Sequence, residues 1–433
     1  MEGDAPTATM TTAALDVPAP RISRLQLLDT SGKPRPEEWE HVQRAVGHVK
    51  TFFNALRRRF IDRASAINKL EYAFVIREHA LLFGPFGTAK TELVRCIFDN
   101  LEGAVCWQSD LAKSMSDTQV FGDFDIQLAQ ATGQLMHRIP GSLLAAEFAN
   151  LGEFLDANTP LQRSLLRVLL EREFRRGSQH LDLPLMTAIA NTNVSPHEAM
   201  MRDGMISAVV DRFLFWEQVG YVAAPEDRMT LLLQEAEIVP RQPMPKLSKE
   251  DVVLVADAIK QLPMLCSRDI VTAYETLTRK FAEARKRPIS DRRLIKGIRF
   301  LKAVCLMRGS FNVEWEDLDK LSLVLVDKED DRPIFQALLE EVRTHGQDAD
   351  ARSLVEQEME ILANLMTPSL IIDPDTITND EALVQALREL KRIRPVIQSF
   401  APQTPAAQTQ RLANIRELDA KIEVARAKIE GGS

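Results

Sequence analysis

Residues Leu81–Leu93 read LLFGPFGTAKTEL. An apolar strand runs into a turn carrying Gly84 and Gly87, and Lys90-Thr91 then open a helix. The glycines let the backbone bend tightly and approach an anion closely. Amides of the turn and of the new helix point at that anion, and the helix dipole adds to the attraction. In such a loop Lys90 reaches the β- and γ-phosphates of a nucleotide, and the Thr91 hydroxyl ligates Mg²⁺. The usual spacing, G-x-x-x-x-G-K-[ST], has glycine where this chain has Ala89. Alanine is the smallest alternative, and a right-handed helical conformation is expected for it there. The phosphate-contacting segment is read as Gly84, Pro85, Phe86, Gly87, Thr88, Ala89, Lys90, Thr91 and Glu92, with Thr91 as the metal ligand.

On the N-terminal side, EEWEHVQRAVGHVKTFFNALRRRFI from Glu37 and ASAINKLEYAFVIRE from Ala64 have apolar residues at three-and-four spacing, which predicts two helices leading into the strand. On the C-terminal side, GAVCWQS near Val105, AAEFANL near Phe148 and LPLMTAIAN near Met186 read as strands separated by helical stretches. Such alternation predicts a mostly parallel sheet with helices on its faces. After about Pro225 the strand signal disappears, and residues 226–345 read as a helical bundle. Residues 346–398 are helical but interrupted at Pro368 and Pro374, and SFAPQTPAAQTQ from Ser399 is a linker by composition. Residues 399–433 thus comprise this linker and a C-terminal helix, which carries Ile415, Leu418, Ile422, Ala425 and Ile429 as a stripe, suited to its own domain or to a short coiled coil. Residues 1–35, rich in Pro, Thr and Ala, read as a disordered leader.

A hydrophobic content of 45% across 433 residues supports two to three globular domains. No apolar run suits a membrane span, and no signal peptide is evident. Cys96, Cys106, Cys266 and Cys305 form no CxxC pair, which fits a reduced, cytoplasmic setting. A net charge of −8 speaks against broad nucleic-acid binding, and the runs Arg57–Arg59, Arg285–Arg287 and Arg292-Arg293 read as solvated faces or nucleotide contacts.

Further along, LLAAEFANLGEFLDA ends a strand near an acidic residue, LPLMTAIANTN ends in polar residues, and SAVVDRFLFWEQV carries Asp211-Arg212-Phe213. With RFIDRASAINKLEYAFVIREHALLFGPFGTAKTE, VFGDFDI, LLEREFRRG and ISDRRLIKGIRFLKA, these segments closely resemble the MoxR family of AAA+ ATPases, and within it the RavA-like branch, over roughly residues 45–345. The resemblance implies an α/β P-loop AAA+ core over 36–225, a parallel sheet with helices on both faces, followed by an all-α lid over 226–345 and the helical C-terminal extension. It also implies ATP and Mg²⁺, a homo-oligomeric ring (usually a hexamer) and chaperone-like remodelling of proteins with a partner bearing a von Willebrand factor A domain. Carried over residue by residue, Glu153 activates the attacking water and Asn193 (or Asn191) is the first sensor. Arg212 is the finger that enters the neighbour's site, and Arg292 (or Arg293) is the second sensor, closing the lid on the γ-phosphate.

One departure stands out. The family's Asp-Glu pair reads Gly152-Glu153 here, so the acidic residue that anchors the Mg²⁺ shell is missing. Asp156 and Glu147 are the nearby acids that could compensate. Two functions therefore compete: an ATP-hydrolysing ring that remodels a protein, and a nucleotide-binding scaffold or assembly switch with weak or absent hydrolysis. A nucleic-acid motor of the same superfamily is a third and weaker reading, given the acidity of the chain.

Overall fold

The structure, a computed structural model, describes residue 27 and residues 35–177, 179–202, 204–261 and 267–431. Apart from Leu27 and Arg35, the leader expected over 1–35 lies outside the described residues, as does Cys266.

The sequence alternation condenses into one parallel sheet. Its strands are β1 (His79–Phe83), β2 (Cys106–Asp110), β3 (Phe148–Gly152), β4 (Thr187–Thr192) and β5 (Phe213–Gln218), in the order β2-β3-β4-β1-β5. Strands β1, β3 and β4 are buried along their whole length, so they need apolar or internally paired side chains on both faces. Asn150, an unusual residue for such a strand, is paired: the Asn191 amide on β4 donates to its side-chain oxygen at 2.7 Å. Strand β4 lies between β3 and β1, with Leu151 level with Ala190 and Phe83 level with Thr192. The C-terminal ends of four strands therefore meet at one edge, where the connecting loops form a crevice.

The helices expected before the phosphate loop are α1 (Pro36–Arg59) and α2 (Ala64–Ile76). Pro36, Glu37 and Glu38 stand in the first turn of α1 and Arg57–Arg59 in its last, the polarity a helix dipole favours. The loop leads into α3 (Lys90–Asp99), and α4 (Thr159–Glu171) is capped by Asn158, whose side chain accepts from Leu161 N at 2.9 Å. Later come α5 (Pro225–Glu235), α6 (Lys249–Gln261), α7 (Arg268–Ala284), α8 (Asp291–Arg308), α9 (Arg332–Leu370), α10 (Asp380–Ser399) and α11 (Pro405–Gly431). Strand pairing does not stop entirely at Pro225, because Leu247–Ser248 pairs in parallel with Leu101–Glu102.

The chain divides into two compact units, one running to Ser267 and taking in Thr278–Leu338, the other made of Arg268–Leu277 and the chain from Leu339 onward. This grouping differs from the 226–345 lid read from the sequence. Helix α8 packs inside the first unit: the Phe300 ring lies 4.8 Å from Tyr72 and 6.0 Å from Phe215, and Lys296 donates to Glu78 at 2.6 Å. In the second unit the segments 346–398 and 399–431 share one core, built on Leu362, Leu390, Ile397, Leu418 and Ile422. The stripe on α11 thus packs within its own unit. The compositional linker shrinks to residues 400–404, because Pro405 opens α11 where no backbone N–H is needed. Pro368 lies inside α9, which continues to Leu370. No helix among the described residues is long and apolar enough to cross a membrane.

Two of the basic runs have structural employment. Arg285, Arg287 and Arg293 converge on Asp327, with N–O separations of 3.7, 2.5 and 2.8 Å. Burial pushes the Asp327 carboxyl up, but the three guanidinium groups hold it below its ordinary value.

Candidate functional site

The crevice is built around the β1–α3 loop. Val219 N donates to Phe83 O at 2.8 Å and Gly84 N to Thr192 O at 3.2 Å, which fixes the loop between β4 and the end of β5. A Cβ on Gly84 would stand 2.2 Å from the Val219 carbonyl oxygen, and its φ is +143°, so only glycine fits. Ala89 adopts φ 63°, ψ 20°, the left-handed region rather than the right-handed conformation expected for it. Glycine is usual at this position because the turn into the helix requires that conformation, and alanine meets the requirement under strain.

Lys90 lies at the floor of the loop. Its ammonium donates to the carbonyls of Gly84 and Pro85, each at 2.8 Å, and to the side-chain oxygen of Asn193 at 3.2 Å. The Asn193 amide in turn donates to both carboxylate oxygens of Glu153, at 2.6 and 2.8 Å. Lys90, Asn193 and Glu153 thus form one chain of contacts across the crevice. Desolvation lowers the Lys90 pKa, with Glu153 opposing and Arg63 adding to the effect. Burial raises the Glu153 pKa; the Asn193 hydrogen bonds oppose this, while Asp156 and Asp110 add to it. Glu153 also sits at a left-handed backbone position, φ 47° and ψ 39°, which turns it off the strand into the crevice.

The crevice encloses about 300 Å³ and is lined by Lys90, Thr91, Asp110, Glu153, Asn191 and Asn193 together with residues 86–89, Glu92 and Thr192. Asn191 contributes a buried side-chain oxygen that has no hydrogen-bond partner among the described residues. Across the loop, a second cavity of about 640 Å³ shares Gly87, Thr88, Ala89 and Glu92 and has an apolar wall of Phe60, Ile61, Tyr221, Val222, Leu231 and Leu232. The two cavities suit the two halves of a nucleotide: charged donors and a carboxylate on one side, and on the other a slot with an apolar wall that is also lined by Arg59, Arg63, Arg228 and Arg241. The helix N-terminus, Lys90 and the Thr91 hydroxyl form a donor set that fits a triphosphate with Mg²⁺.

The remaining residues singled out in the sequence lie elsewhere. Arg212 pairs with Asp211 at 3.5 Å, its side chain is only 16% exposed, and its Nε has no partner among the described residues. Burial lowers its pKa, as does the nearby Arg292. Arg292 donates to the same Asp211 at 2.5 Å. Neither Arg292 nor Arg293 lines the phosphate crevice. Arg293 is committed to Asp327 and to the Leu214 carbonyl, and stacks over Trp216 at 5.3 Å. Glu147 sits at the opposite end of β3 from Glu153, accepting from Val105 N at 2.9 Å and pairing with Lys249 at 3.2 Å. Asp156 does not line the crevice.

Sequence reading passed over several residues of this neighbourhood. Arg63 is buried and donates to the carbonyls of Thr88 and Gly220, at 3.2 and 3.0 Å, so it clamps the loop to the segment after β5. Asp110 and Tyr221 were also missed. Asp110 ends a strand whose side chains alternate in exposure, so it carries no periodic signal of its own.

Residues 47–262, about half of the chain, match the family model described as the MoxR domain in MoxR–vWA–beta-propeller ternary systems. Two uncharacterized proteins of Methanocaldococcus jannaschii are similar. MJ0079 is 24% identical over 64% of this chain and 69% of its own length, and MJ0812 is 25% identical over 74% and 82%. The crystal structure of a proposed ATPase from Cytophaga hutchinsonii superimposes with a TM-score of 0.54 at 17% identity, covering 70% of this chain and 96% of that one. That likeness carries the fold, the matched family model carries the domain type, and the chain is accordingly a MoxR-type AAA+ protein.

Proposed function

We propose that this chain is an ATP-hydrolysing, ring-forming protein of MoxR type that remodels or assembles a protein partner in the cytoplasm. The observation that carries the reading is the continuous set of contacts from Lys90 through Asn193 to Glu153 beside the Thr91 hydroxyl. Lys90 would bind the β- and γ-phosphates, exchanging its loop carbonyls for phosphate oxygens. Asn193 would hold Glu153 in place, and Glu153 would orient the attacking water and receive its proton. Thr91 would hold Mg²⁺, which supplies charge neutralisation between the β- and γ-phosphates. The base would lie against Tyr221 and Ile61 in the larger cavity.

Arg212 would complete the site of the neighbouring subunit in a ring, most simply a hexamer. Because Arg292 shares Asp211 with Arg212 and is absent from the crevice of its own chain, both arginines would be offered from the same side. The partner suggested by the matched family description is a protein with a von Willebrand factor A domain. The RavA-like branch remains part of this proposal.

The second reading, a nucleotide-binding scaffold with little turnover, draws on Gly152. Steady-state ATP turnover separates the two. Turnover of ~1 s⁻¹, at the lower end of ordinary enzyme rates, abolished by Lys90→Ala, supports the motor. ATP binding with turnover equal to that of Lys90→Ala supports the scaffold, and no ATP binding at millimolar concentration overturns both.

A further inference from the structure

Gly152 is the position where the family resemblance calls for the acid that anchors Mg²⁺, and the structure explains its glycine by space. Gly152 is not among the glycines with positive φ, so its backbone conformation is open to any residue. A Cβ placed there would fall 1.8 Å from Oδ1 and 2.9 Å from Cγ of Asp110. The place of the missing side chain is therefore filled by a carboxylate from the adjacent strand. Asp110 and Gly152 are level with each other at the C-terminal ends of β2 and β3, and Leu111 N donates to the Gly152 carbonyl at 2.7 Å, which holds the two strand ends together. Paired residues on neighbouring strands point to the same face. A carboxylate hung from position 110 thus reaches the space that one hung from 152 would occupy.

We propose that Asp110 is the carboxylate of the Mg²⁺ shell in this chain, moved one strand over from its usual position. The proposal rests on the reading of the crevice as an ATP site. Asp110 lines the same crevice as Thr91 and Glu153, and among the described residues its side chain has no hydrogen-bond or ion-pair partner to occupy it. Its charge also helps to raise the Glu153 pKa, after burial and the Asp156 charge, so the two carboxylates sense each other. The two acids considered from sequence are less suited: Glu147 is engaged by Lys249 at the far end of β3, and Asp156 is not among the residues that line the crevice.

The test measures ATP affinity of the full chain with a fluorescent ATP analogue, first without Mg²⁺ and then across a Mg²⁺ titration, with Mn²⁺ EPR as a direct reading of the bound ion. Asp110→Asn is expected to retain Mg²⁺-free binding and to raise the half-saturating Mg²⁺ concentration about 10- to 100-fold, the usual cost of losing a metal-supporting group. Gly152→Ala should shift it in the same direction, because its methyl group displaces the Asp110 carboxylate. The exchange variant Asp110→Ala/Gly152→Asp should return the requirement toward wild type. An unchanged Mg²⁺ requirement in Asp110→Asn, with wild type binding ATP normally, overturns the proposal and leaves the ATP site standing. Loss of Mg²⁺-free binding in Asp110→Asn also overturns it, in favour of a structural role. Failure of the wild type to bind ATP at all removes the underlying reading and the proposal together.

Discussion

Ala89 carries strain that a single hydrogen atom could relieve. A non-glycine residue in the left-handed region costs roughly 1–2 kcal/mol, of which the extra freedom of glycine in the unfolded chain takes back roughly 0.4–1 kcal/mol. Ala89→Gly is therefore expected to stabilise the first unit by up to ~1.6 kcal/mol, read as a higher denaturant midpoint, while ATP affinity is kept or improved. A lower midpoint would show that the methyl group is packed rather than strained. At this scale the sequence singled out Lys90, Glu153 and Asn193, each from a segment with a recognisable order, and the structure brings the three side chains into contact. The sequence was a poor guide to Asp110, since a side chain that enters a site from the next strand has no fixed spacing from the loop it serves. It also misjudged the backbone at Ala89, where residue size suggested a helical start and the turn geometry demanded the opposite hand.

At the end of the sheet away from the crevice, neighbouring elements are joined by His79, the first residue of β1. Its Nε2–H donates to the Leu169 carbonyl on α4 at 2.7 Å, and its Nδ1 accepts from Ala188 N on β4 at 2.9 Å. Accepting from Ala188 requires an unprotonated Nδ1, so the two bonds are made together only by the neutral ring. Burial, with a smaller contribution from Arg172, depresses its pKa to about 3. The unfolded chain then binds a proton that the folded chain refuses, so this contribution to stability is present above about pH 6.5 and is lost as pH falls toward the folded value. Between pH 7 and pH 5 the first unit should lose ~2 kcal/mol through His79 alone. Chemical denaturation of the wild type and of His79→Gln at both pH values checks this: the variant should be less stable at pH 7 and show a shallower pH dependence. Equal slopes would remove His79 from the account. The strands β1 to β4 and the helices between them were legible from apolar runs and turns, whereas β5, in the segment SAVVDRFLFWEQV, was not expected as a strand. The reach of α9 past Pro368 was not, because proline inside a helix forfeits one hydrogen bond that tertiary packing can outweigh.

At the scale of the whole molecule, the shared attachment of Arg212 and Arg292 to Asp211 gives the finger assignment a consequence. Arg212→Ala should leave ATP affinity largely intact and remove most turnover. An equimolar mixture of Arg212→Ala with Lys90→Ala chains should recover part of it, since one chain offers the arginine and the other the loop. Weakened ATP binding with unchanged turnover per bound nucleotide would place Arg212 outside the neighbour's site. The grouping of residues 278–338 with the sheet, and the common core of 346–431, were hidden from sequence reading. Helical periodicity shows which face is buried and leaves open against what it is buried.

The contact between positions 110 and 152 also sets rules for how such chains can diverge. With an acid at 110 in its present place, 152 has room for a hydrogen and nothing larger. An ancestor bearing its acid on the other strand could not have reached this arrangement by one neutral substitution. Changing the two sites singly passes through either a crowded pair or a chain with no acid at that end of the sheet. Aligned column by column, such a lineage would be scored as having lost a functional group that it had only relocated.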